Sequence, residues 1–298
     1  MAEASIGNSP KRCAVVTGAN RGIGLEICRQ LASQGITVVL TARDEKRGLD
    51  ALHRLRDSGG LSGNLLFHQL DVGDSSSVAS LAEFINTELG RLDILVNNAG
   101  IGGALVDEAA IRAAAAAGTE INFEEIATQT YELAVECLQT NYYGAKRMVE
   151  ACVPLLQLSE SPRIVSVSSS MGKLECIKYG WAKRTLGDAE NLTEERVDKV
   201  VKEFLQDFNE GYQEAKGWPL AYVISKAALN AYTRILAKRF PNFKVNCVCP
   251  GFVKTDINYN TGTLPVEEGA ESPVKLALLS NDGPSGLFFS SNQVTSFE

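Results

Sequence analysis

Histidine is scarce in this chain. Only two are present among 298 residues, His53 and His68. Both are far in sequence from the motifs described below, and we expect them to be surface or strand residues rather than catalytic bases. The two histidines are therefore set aside as candidates for acid–base chemistry.

The sequence also lacks any CxxC motif, although it has an odd number of cysteines. Several lie inside apolar runs, which is typical of buried thiols in a reducing compartment. Cys247 and Cys249 share one face of a predicted strand with Val245, where core packing explains them better than metal binding. We expect no metal site. The seven cysteines are Cys13, Cys28, Cys137, Cys152, Cys176, Cys247 and Cys249.

Long apolar runs and clustered basic residues are missing as well. No segment offers the roughly 20 uninterrupted apolar residues of a transmembrane helix, and the first ten residues contain Glu3 and no apolar stretch. The net charge is -7, and lysine and arginine are scattered, which argues against a nucleic-acid partner. We expect a soluble, cytoplasmic protein that binds neither nucleic acid nor membrane.

What the chain does contain is an alternation of apolar, β-rich runs with helical patterns. The first helix is the clearest, because Ile23, Ile27 and Leu31 recur at spacings of four before Gly35 ends it. Seven such runs predict an α/β fold, a doubly wound Rossmann-type parallel sheet with helices on both faces. The predicted strands cover residues 14–16, 37–40, 65–70, 94–96, 164–167, 245–248 and 286–289.

Two stretches interrupt this alternation, residues 102–130 and residues 172–220. The second is charged, rich in helix-forming residues, and separates a serine cluster from the tyrosine discussed below. We expect a helical insertion over one rim of a single domain, residues 1–298, since no linker or repeat marks a boundary. Trp181 and Trp218 in this insertion could wall an apolar pocket, but anchoring of the added helices is the better interpretation.

A glycine-rich turn, TGANRGIG over residues 17–24, connects the first predicted strand to the first helix. Glycines let the backbone approach a pyrophosphate closely, and the N–H groups at a helix N-terminus favour its negative charge. A glycine turn alone is a weak signal, but its place between strand and helix predicts a dinucleotide site. Its candidate binding residues are Gly18, Asn20, Arg21, Gly22, Ile23 and Gly24.

The end of the second strand should discriminate between the two nicotinamide cofactors. An acidic residue there would bind ribose hydroxyls and repel a 2′-phosphate. This strand instead leads to Arg43, and Arg21 of the glycine turn could reach the same place. A guanidinium pairs bidentately with phosphate, so we predict NADPH rather than NADH. Asp44 is better interpreted as the cap of the next helix than as a ribose ligand.

Two more strand ends carry candidate cofactor contacts. Asp71 and Val72 follow the third strand, at the lip where an adenine would lie, although Asp71 could equally cap a helix that begins near Ser75. The fourth strand leads into NNAG over residues 97–100, where small residues would let a dinucleotide pass and an amide would hold neighbouring strands together. This segment adds Asn98, Ala99 and Gly100 to the candidates.

Tyr222 and Lys226 are one turn apart in a helix predicted over residues 221–240. A ketone that accepts a hydride needs a proton at its oxygen. An ammonium roughly 4 Å from a phenol, at an effective dielectric of about 20, would lower the phenol pKa from about 10. Such a pair also occurs by chance on amphipathic helices. Beside the glycine turn and the strand ends, it predicts that Tyr222 is a proton donor.

The glycine turn, the NNAG run and the Tyr-to-Lys pair together resemble the motifs of a short-chain dehydrogenase/reductase, over roughly residues 12–289. The resemblance implies a tetrad at Asn141, Ser169, Tyr222 and Lys226, with Ser168 as an alternative serine. In that family the asparagine holds a water, the serine donates to the substrate oxygen, and the tyrosine and lysine also contact the cofactor. The segment that would lie along the nicotinamide supplies Pro250, Gly251, Val253 and Thr255.

The long gap between Ser169 and Tyr222 makes the chain resemble one subgroup of this family more than the others. An insertion there is similar to the monomeric carbonyl reductases, and within them to the plant group of salutaridine reductase and menthone/neomenthol reductases. In ordinary members this rim packs subunits together, so the resemblance implies a monomer whose added helices cover it.

The same resemblance implies NADPH-dependent reduction of a ketone or aldehyde on a hydrophobic small molecule, of alkaloid or monoterpenoid type, in plant specialised metabolism. Three alternatives stay open. Alcohol oxidation with NADP+ uses the same residues. Reduction of a conjugated C=C bond is known in relatives that lose the tyrosine, which is retained at Tyr222. A non-catalytic NADPH sensor would be expected to lose part of the tetrad, which is complete.

Overall fold

The computed structural model describes residues 11–57, 61–117, 119 and 123–298, so the segment around Glu3 lies outside the described residues. The strands are β1 (Cys13–Val16), β2 (Thr37–Ala42), β3 (Leu65–Gln69), β4 (Ile94–Asn97), β5 (Leu105–Val106), β6 (Ala127–Thr128), β7 (Arg163–Val167), β8 (Lys244–Cys249), β9 (Phe288–Ser290) and β10 (Gln293–Thr295).

Helices alternate with these strands along the chain. They are α1 (Gly22–Ser33), α2 (Glu45–Asp57), α3 (Ser75–Leu89), α4 (Glu108–Ala117), α5 (Phe123–Ile126), α6 (Tyr131–Leu138), α7 (Ala145–Leu156), α8 (Gly180–Gly187), α9 (Glu194–Asn209), α10 (Gln213–Lys216), α11 (Ala221–Arg239) and α12 (Val266–Ala277). A π-helical segment, Gln139–Gly144, joins α6 to α7.

The main sheet has the strand order β3-β2-β1-β4-β7-β8-β9-β10. All neighbours are parallel except β9 and β10, which pair antiparallel. The strand order reverses between β1 and β4, and ligands of such sheets bind in the crevice beyond the carboxyl ends of the strands. The predicted Rossmann-type fold is therefore confirmed, and it places a crevice at this reversal.

Both faces of the sheet are covered, because alternate residues of each strand point in opposite directions. On one face, Val15 and Leu95 join a core that includes residues of α3, α6, α7, α9 and α11. On the other, Val16 and Val96 join a core with residues of α1, α2 and α12. The apolar strands of the sequence are buried on both sides for this reason.

All seven predicted strands are present, with ends that differ by one or two residues. Three short strands escaped prediction: β10 at the sheet edge, and β5 with β6, which form a separate two-stranded sheet. Each has two or three residues, too few for a two-residue repeat to be read. The turn before β10 depends on Ser291 and Asn292, which adopt positive φ of 47° and 64°.

The insertion folds into α8, α9 and α10, as predicted, and α9 packs against α6 and α11. Trp218 is buried beside it, and its indole Nε1 donates a 2.7 Å hydrogen bond to Asp207 of α9. The Trp181 ring lies under the ammonium of Lys199, 5.8 Å from its centroid. Neither tryptophan lines the cleft described below, so the anchoring interpretation is confirmed.

The scarce residue types have ordinary positions. His53 is exposed on α2 and His68 lies on β3, as expected. The seven cysteines form no disulfide with one another in the described part of the chain, and all but Cys176 are buried. Cys247 and Cys249 are core residues of β8. None of the described helices is both long and apolar enough to cross a bilayer.

Candidate active site

A cleft of about 800 Å³ opens at the carboxyl edge of the main sheet. Its lining includes residues that follow β1, β2, β3, β4, β7 and β8. It also includes every predicted cofactor-binding residue except Asp71. These are Gly18, Asn20, Arg21, Gly22, Ile23, Gly24, Arg43, Val72, Asn98, Ala99, Gly100, Tyr222, Lys226, Pro250, Gly251, Val253 and Thr255.

The glycine turn has the geometry of a phosphate cradle. Gly18 and Gly22 adopt positive φ of 63° and 57°, which other residues rarely do. A Cβ on Gly24 would lie 2.4 Å from Nδ2 of Asn98, so only glycine fits there. The N-terminus of α1 has no side-chain cap and no acidic residue in its first turn. The backbone N–H groups at the start of α1 are therefore available to bind the pyrophosphate of a dinucleotide.

Asn98 holds the ends of β1 and β4 together, as its amide was predicted to do. Its Nδ2 donates to the carbonyl oxygens of Thr17 and Gly18, at 2.9 Å and 3.1 Å. The Thr17 hydroxyl in turn accepts from the backbone N–H groups of Asn98 and Ala99, both at 3.0 Å. The floor of the crevice is thereby fixed.

Three arginines in the lining of the cleft are candidates for contact with a phosphate group. They are Arg43, Arg47 and Arg21, whose guanidinium forms an ion pair with Asp256. Sequence reasoning had missed Arg47, which stands in the first turn of α2. Asp44 accepts from the backbone N–H of Arg47 at 2.8 Å, which confirms it as the helix cap. Arg43 lies 3.6 Å from the Glu136 carboxylate, and both side chains are more than half exposed.

Asp71 does not cap α3, which was one of the two interpretations offered for it. Its carboxylate accepts from the backbone N–H of Gly73 at 2.8 Å and closes a local turn. Asp74, not Asp71, caps α3, by accepting from the backbone N–H of Ser76 at 2.9 Å. The helix begins at Ser75, as expected, but its cap is the residue directly before it, so the capping alternative for Asp71 was wrong. Asp71 is exposed outside the cleft, whereas its neighbour Val72 lines it.

Tyr222, Ser169 and Lys226 meet in the middle of the cleft. The side chains of Tyr222 and Ser169 face each other, close enough for the serine hydroxyl to favour a lower phenol pKa through hydrogen bonding. Lys226 is only 4% exposed; its Nζ donates to the carbonyl oxygen of Val167 at 2.9 Å and lies 5.6 Å from the Tyr222 ring centroid. The first two turns of α11 thus place the phenol and the ammonium beside the end of β7.

The charge balance of this site differs from the sequence expectation. Burial raises the pKa of Tyr222 above its usual range, and the hydrogen bond from Ser169 opposes this only in part. Burial also lowers the pKa of Lys226 to about 8. We expected the Lys226 ammonium to lower the phenol pKa, with desolvation opposing it. Desolvation instead dominates for both groups, so the expected net lowering was wrong.

Asn141 lies behind the cleft rather than in its lining. It belongs to the π-helical segment, a feature often found at functional sites. Its Oδ1 accepts from the backbone N–H of Ile101 at 2.9 Å, and its Nδ2 donates to the Ile101 carbonyl and the Ser225 hydroxyl, both at 3.0 Å. A Cβ on Gly100 would lie 3.3 Å from Asn141 Oδ1 and 3.5 Å from Lys226 Nζ.

The two adjacent serines have distinct environments. The Ser168 hydroxyl is buried and donates to Asn230 Oδ1 at 2.6 Å, so its proton is committed to the core. The Ser169 hydroxyl faces Tyr222 and accepts from the backbone N–H of Met171 at 3.2 Å, which leaves its proton able to donate. The geometry favours Ser169 as the residue that meets a substrate oxygen.

The sequence matches the short chain dehydrogenase family over residues 12–183. The chain belongs to this family. It is 62% identical to a (+)-neomenthol dehydrogenase of Arabidopsis thaliana, over 96% of this chain and 98% of the relative. Family members are oxidoreductases that use a nicotinamide cofactor, so the glycine cradle and the central tyrosine belong to an enzyme.

Two solved structures show how far the likeness of this short-chain dehydrogenase extends. Salutaridine reductase from Papaver somniferum superimposes with a TM-score of 0.88 at 52% identity, covering 94% of this chain and 99% of that one. Menthone neomenthol reductase from Mentha piperita gives 0.85 at 48% identity, covering 95% and 99%. Both likenesses extend across the insertion before Tyr222.

Beyond Tyr222 the cleft of this dehydrogenase is lined by apolar side chains that sequence reasoning did not assign. They come mainly from the 102–130 stretch and from the loop after β8. Of the insertion, which is described throughout, only Leu220 lines the cleft, since its other helices pack on α6 and α11. These apolar residues are Ile101, Ala104, Val106, Phe123, Ala127, Met171, Leu220, Phe252, Ile257, Tyr259 and Val266.

Proposed function

We propose that this enzyme reduces a ketone or aldehyde on a hydrophobic small molecule to the alcohol, with NADPH as the reductant. One observation carries the proposal. The hydroxyl side chains of Tyr222 and Ser169 face each other in a cleft that is lined both by the glycine turn and by apolar side chains. A carbonyl oxygen at this junction would have two hydroxyl donors, while its carbon would face the cofactor side.

Each residue of the tetrad has a role in this reaction. NADPH, when bound, supplies the hydride. Ser169 donates to the carbonyl oxygen and holds it beside the phenol, and Tyr222 gives its proton as negative charge develops on that oxygen. Lys226 would contact the cofactor ribose and keep its ammonium near Tyr222. Asn141 would hold the water that restores the proton. We propose these four as the catalytic residues.

NADPH, rather than NADH, is supported by charge. Arg21, Arg43 and Arg47 all line the cleft, with Arg21 paired to the Asp256 carboxylate, and a guanidinium pairs bidentately with phosphate. A bound 2′-phosphate would replace the exposed Glu136 carboxylate as the partner of Arg43. The remaining cofactor contacts would be the predicted residues that line the cleft, with Asp71 at the adenine lip.

The substrate class follows from the apolar wall and from the relatives. The names of those relatives refer to neomenthol, menthone and salutaridine. We propose a monoterpenoid or alkaloid type of substrate, and a role in plant specialised metabolism. The wall is made of side chains such as Phe123, Phe252 and Tyr259, which suit a compact apolar ring system.

We further propose that residues 1–298 form one domain, and that the enzyme is a monomer in the cytoplasm. Helix α9 covers α6 and α11, and its residues Val197, Val200, Val201 and Phe204 are fully buried there. A second copy could not use that surface. The free thiols of the core suit a reducing compartment.

The proposal is tested by NADPH absorbance decay with purified protein against cyclic ketones, aldehydes and enones, with analysis of the products. Alcohol formation is the expected result. A saturated ketone from an enone would move the enzyme to C=C reduction. Tight NADPH binding without turnover of any compound would overturn the proposal and favour a sensor.

A further inference from the structure

Gln129 connects the substrate wall to the helix that carries Tyr222. It directly follows β6, is half-buried, and does not line the cleft. Its Nε2 donates a 2.7 Å hydrogen bond to the carbonyl oxygen of Gly103. Its Oε1 accepts a 3.1 Å hydrogen bond from the backbone N–H of Ala221. One side chain therefore joins three segments that are distant in sequence.

The two partners define what this position requires. The Gly103 carbonyl can only accept, and the Ala221 N–H can only donate, so the amide of Gln129 fits in one orientation. A glutamate could keep the acceptor but has no proton for Gly103. A methionine of similar length could serve neither.

At one end of the link, Gln129 caps the helix of Tyr222. The first N–H groups of a helix have no partner within it, and the N-cap residue of α11, Leu220, has no polar side chain to satisfy them. Gln129 provides the acceptor from another segment. Tyr222 is the next residue after Ala221, so the cap holds the helix at the turn that carries the phenol.

At the other end, Gln129 fixes the loop that leads into β5. Gly103 adopts φ of 67°, and a Cβ there would lie 2.4 Å from the Cβ of Cys137, so the loop is pressed onto α6. Its neighbours Gly102 and Ala104 both line the cleft. A shift of Gly103 would therefore move the wall against which a substrate rests.

We propose that Gln129 is a positioning residue for the reduction, which sets the wall at Gly102 and Ala104 against the Tyr222 hydroxyl. The inference rests on the proposed function, because it concerns the geometry of the same site. Small misplacements of reacting groups are costly, since about 1 Å can lower a rate by about a hundredfold.

Three variants test the proposal: Gln129→Met, Gln129→Glu and, as a matched control, Thr130→Ala. Thr130 is the adjacent residue, and its hydroxyl caps α6 by accepting from Leu133 N–H at 3.3 Å; it forms no hydrogen bond with the described residues of α11. Steady-state kinetics at saturating NADPH should give Gln129→Met a kcat about tenfold lower. Gln129→Glu should keep kcat within about twofold, because the cap remains, but raise KM about fivefold, because the wall loses its donor.

A difference of this kind between kcat and KM supports the positioning role. Equal kinetic constants for Gln129→Met and the wild type would overturn it. So would a decrease in kcat in Thr130→Ala as large as that in Gln129→Met. The NADPH Kd should stay within about twofold in all three variants, and a larger change would place the effect at the cofactor instead.

Hydrogen–deuterium exchange separates this proposal from the proposed function. The backbone N–H groups at the start of α11 should exchange faster in Gln129→Met than in the wild type, and at the wild-type rate in Gln129→Glu. Unchanged exchange in Gln129→Met would overturn the link to α11. Absence of ketone reduction by the wild type, with this exchange pattern intact, would instead overturn the proposed function alone.

Discussion

The side-chain nitrogen of Lys226 donates its hydrogen bond to the carbonyl oxygen of Val167, the last residue of β7. The ammonium is thereby fixed to the sheet and not to a carboxylate. Burial then lowers its pKa to about 8, from 10.5. The lysine is held in a place that costs stability, which is typical of a group kept for function.

The cost should be visible in the dependence of stability on pH. Between pH 8 and 10.5 the unfolded chain holds a proton on Lys226 that the folded chain has lost, so the free energy of unfolding rises with pH in this window. Lys226→Met removes this contribution. The free energy of unfolding of this variant, relative to the wild type, should therefore be highest at neutral pH. The difference should fall by about 3 kcal/mol towards pH 10.5. Urea unfolding of both proteins across the window measures it; parallel pH profiles would contradict it.

Substitution of the two adjacent serines should have different effects, one on kcat and the other on stability. Ser169→Ala removes a donor to the substrate oxygen and should lower kcat about a hundredfold, with little change in stability. Ser168→Ala leaves the buried Asn230 oxygen without its partner and should lower the free energy of unfolding by about 1–3 kcal/mol. Each variant controls the other. A larger loss of kcat in Ser168→Ala would reverse the assignment.

Cofactor preference should depend on Arg43. Arg43→Ala should raise the Kd of NADPH at least about tenfold, because a charge-assisted bond to the 2′-phosphate is lost, and leave that of NADH within about twofold. Lys46→Ala is the control, since this lysine is exposed on α2 outside the cleft. Fluorescence titration of both cofactors measures the change. Equal losses for NADPH and NADH would show that the phosphate is bound elsewhere.

Asp207 should stabilise the insertion, and its substitution should leave the rate of the reaction unchanged. This carboxylate is 5% exposed and accepts from Trp218 Nε1 and Lys216 Nζ, both at 2.7 Å. Asp207→Ala should lower the free energy of unfolding by about 2 kcal/mol, because the indole N–H loses its acceptor. Asp207→Asn keeps that acceptor and should lose less than about 1 kcal/mol. If kcat in either folded variant fell with stability, the insertion would have a further role.

The sheet could be predicted from the sequence because its strands are buried on both faces and read as continuous apolar runs. The glycine turn, the NNAG run and the pair of Tyr222 and Lys226 each follow a strand or begin a helix, so their meeting at one edge followed from topology. The short strands β5, β6 and β10 could not be found this way, since their residues lack a repeat.

The apolar wall of the cleft and the pKa values of Tyr222 and Lys226 could not be predicted from the sequence, for other reasons. The wall depends on how the 102–130 stretch turns back, through contacts such as Gly103 with Cys137 that no local pattern encodes. The pKa values of Tyr222 and Lys226 depend on burial, which spacing along a helix does not reveal. The capping alternative for Asp71 was wrong because its carboxylate closes a local turn, and Asp74 directly precedes the helix.

The central claim is that Tyr222 protonates the substrate, and Tyr222→Phe tests it most directly. Rapid-mixing measurement of NADPH oxidation with a ketone substrate should show a rate at least about a hundredfold below the wild type, with the Kd of NADPH within about twofold. Retention of most of the rate with NADPH still bound would contradict the claim and assign the proton to another group.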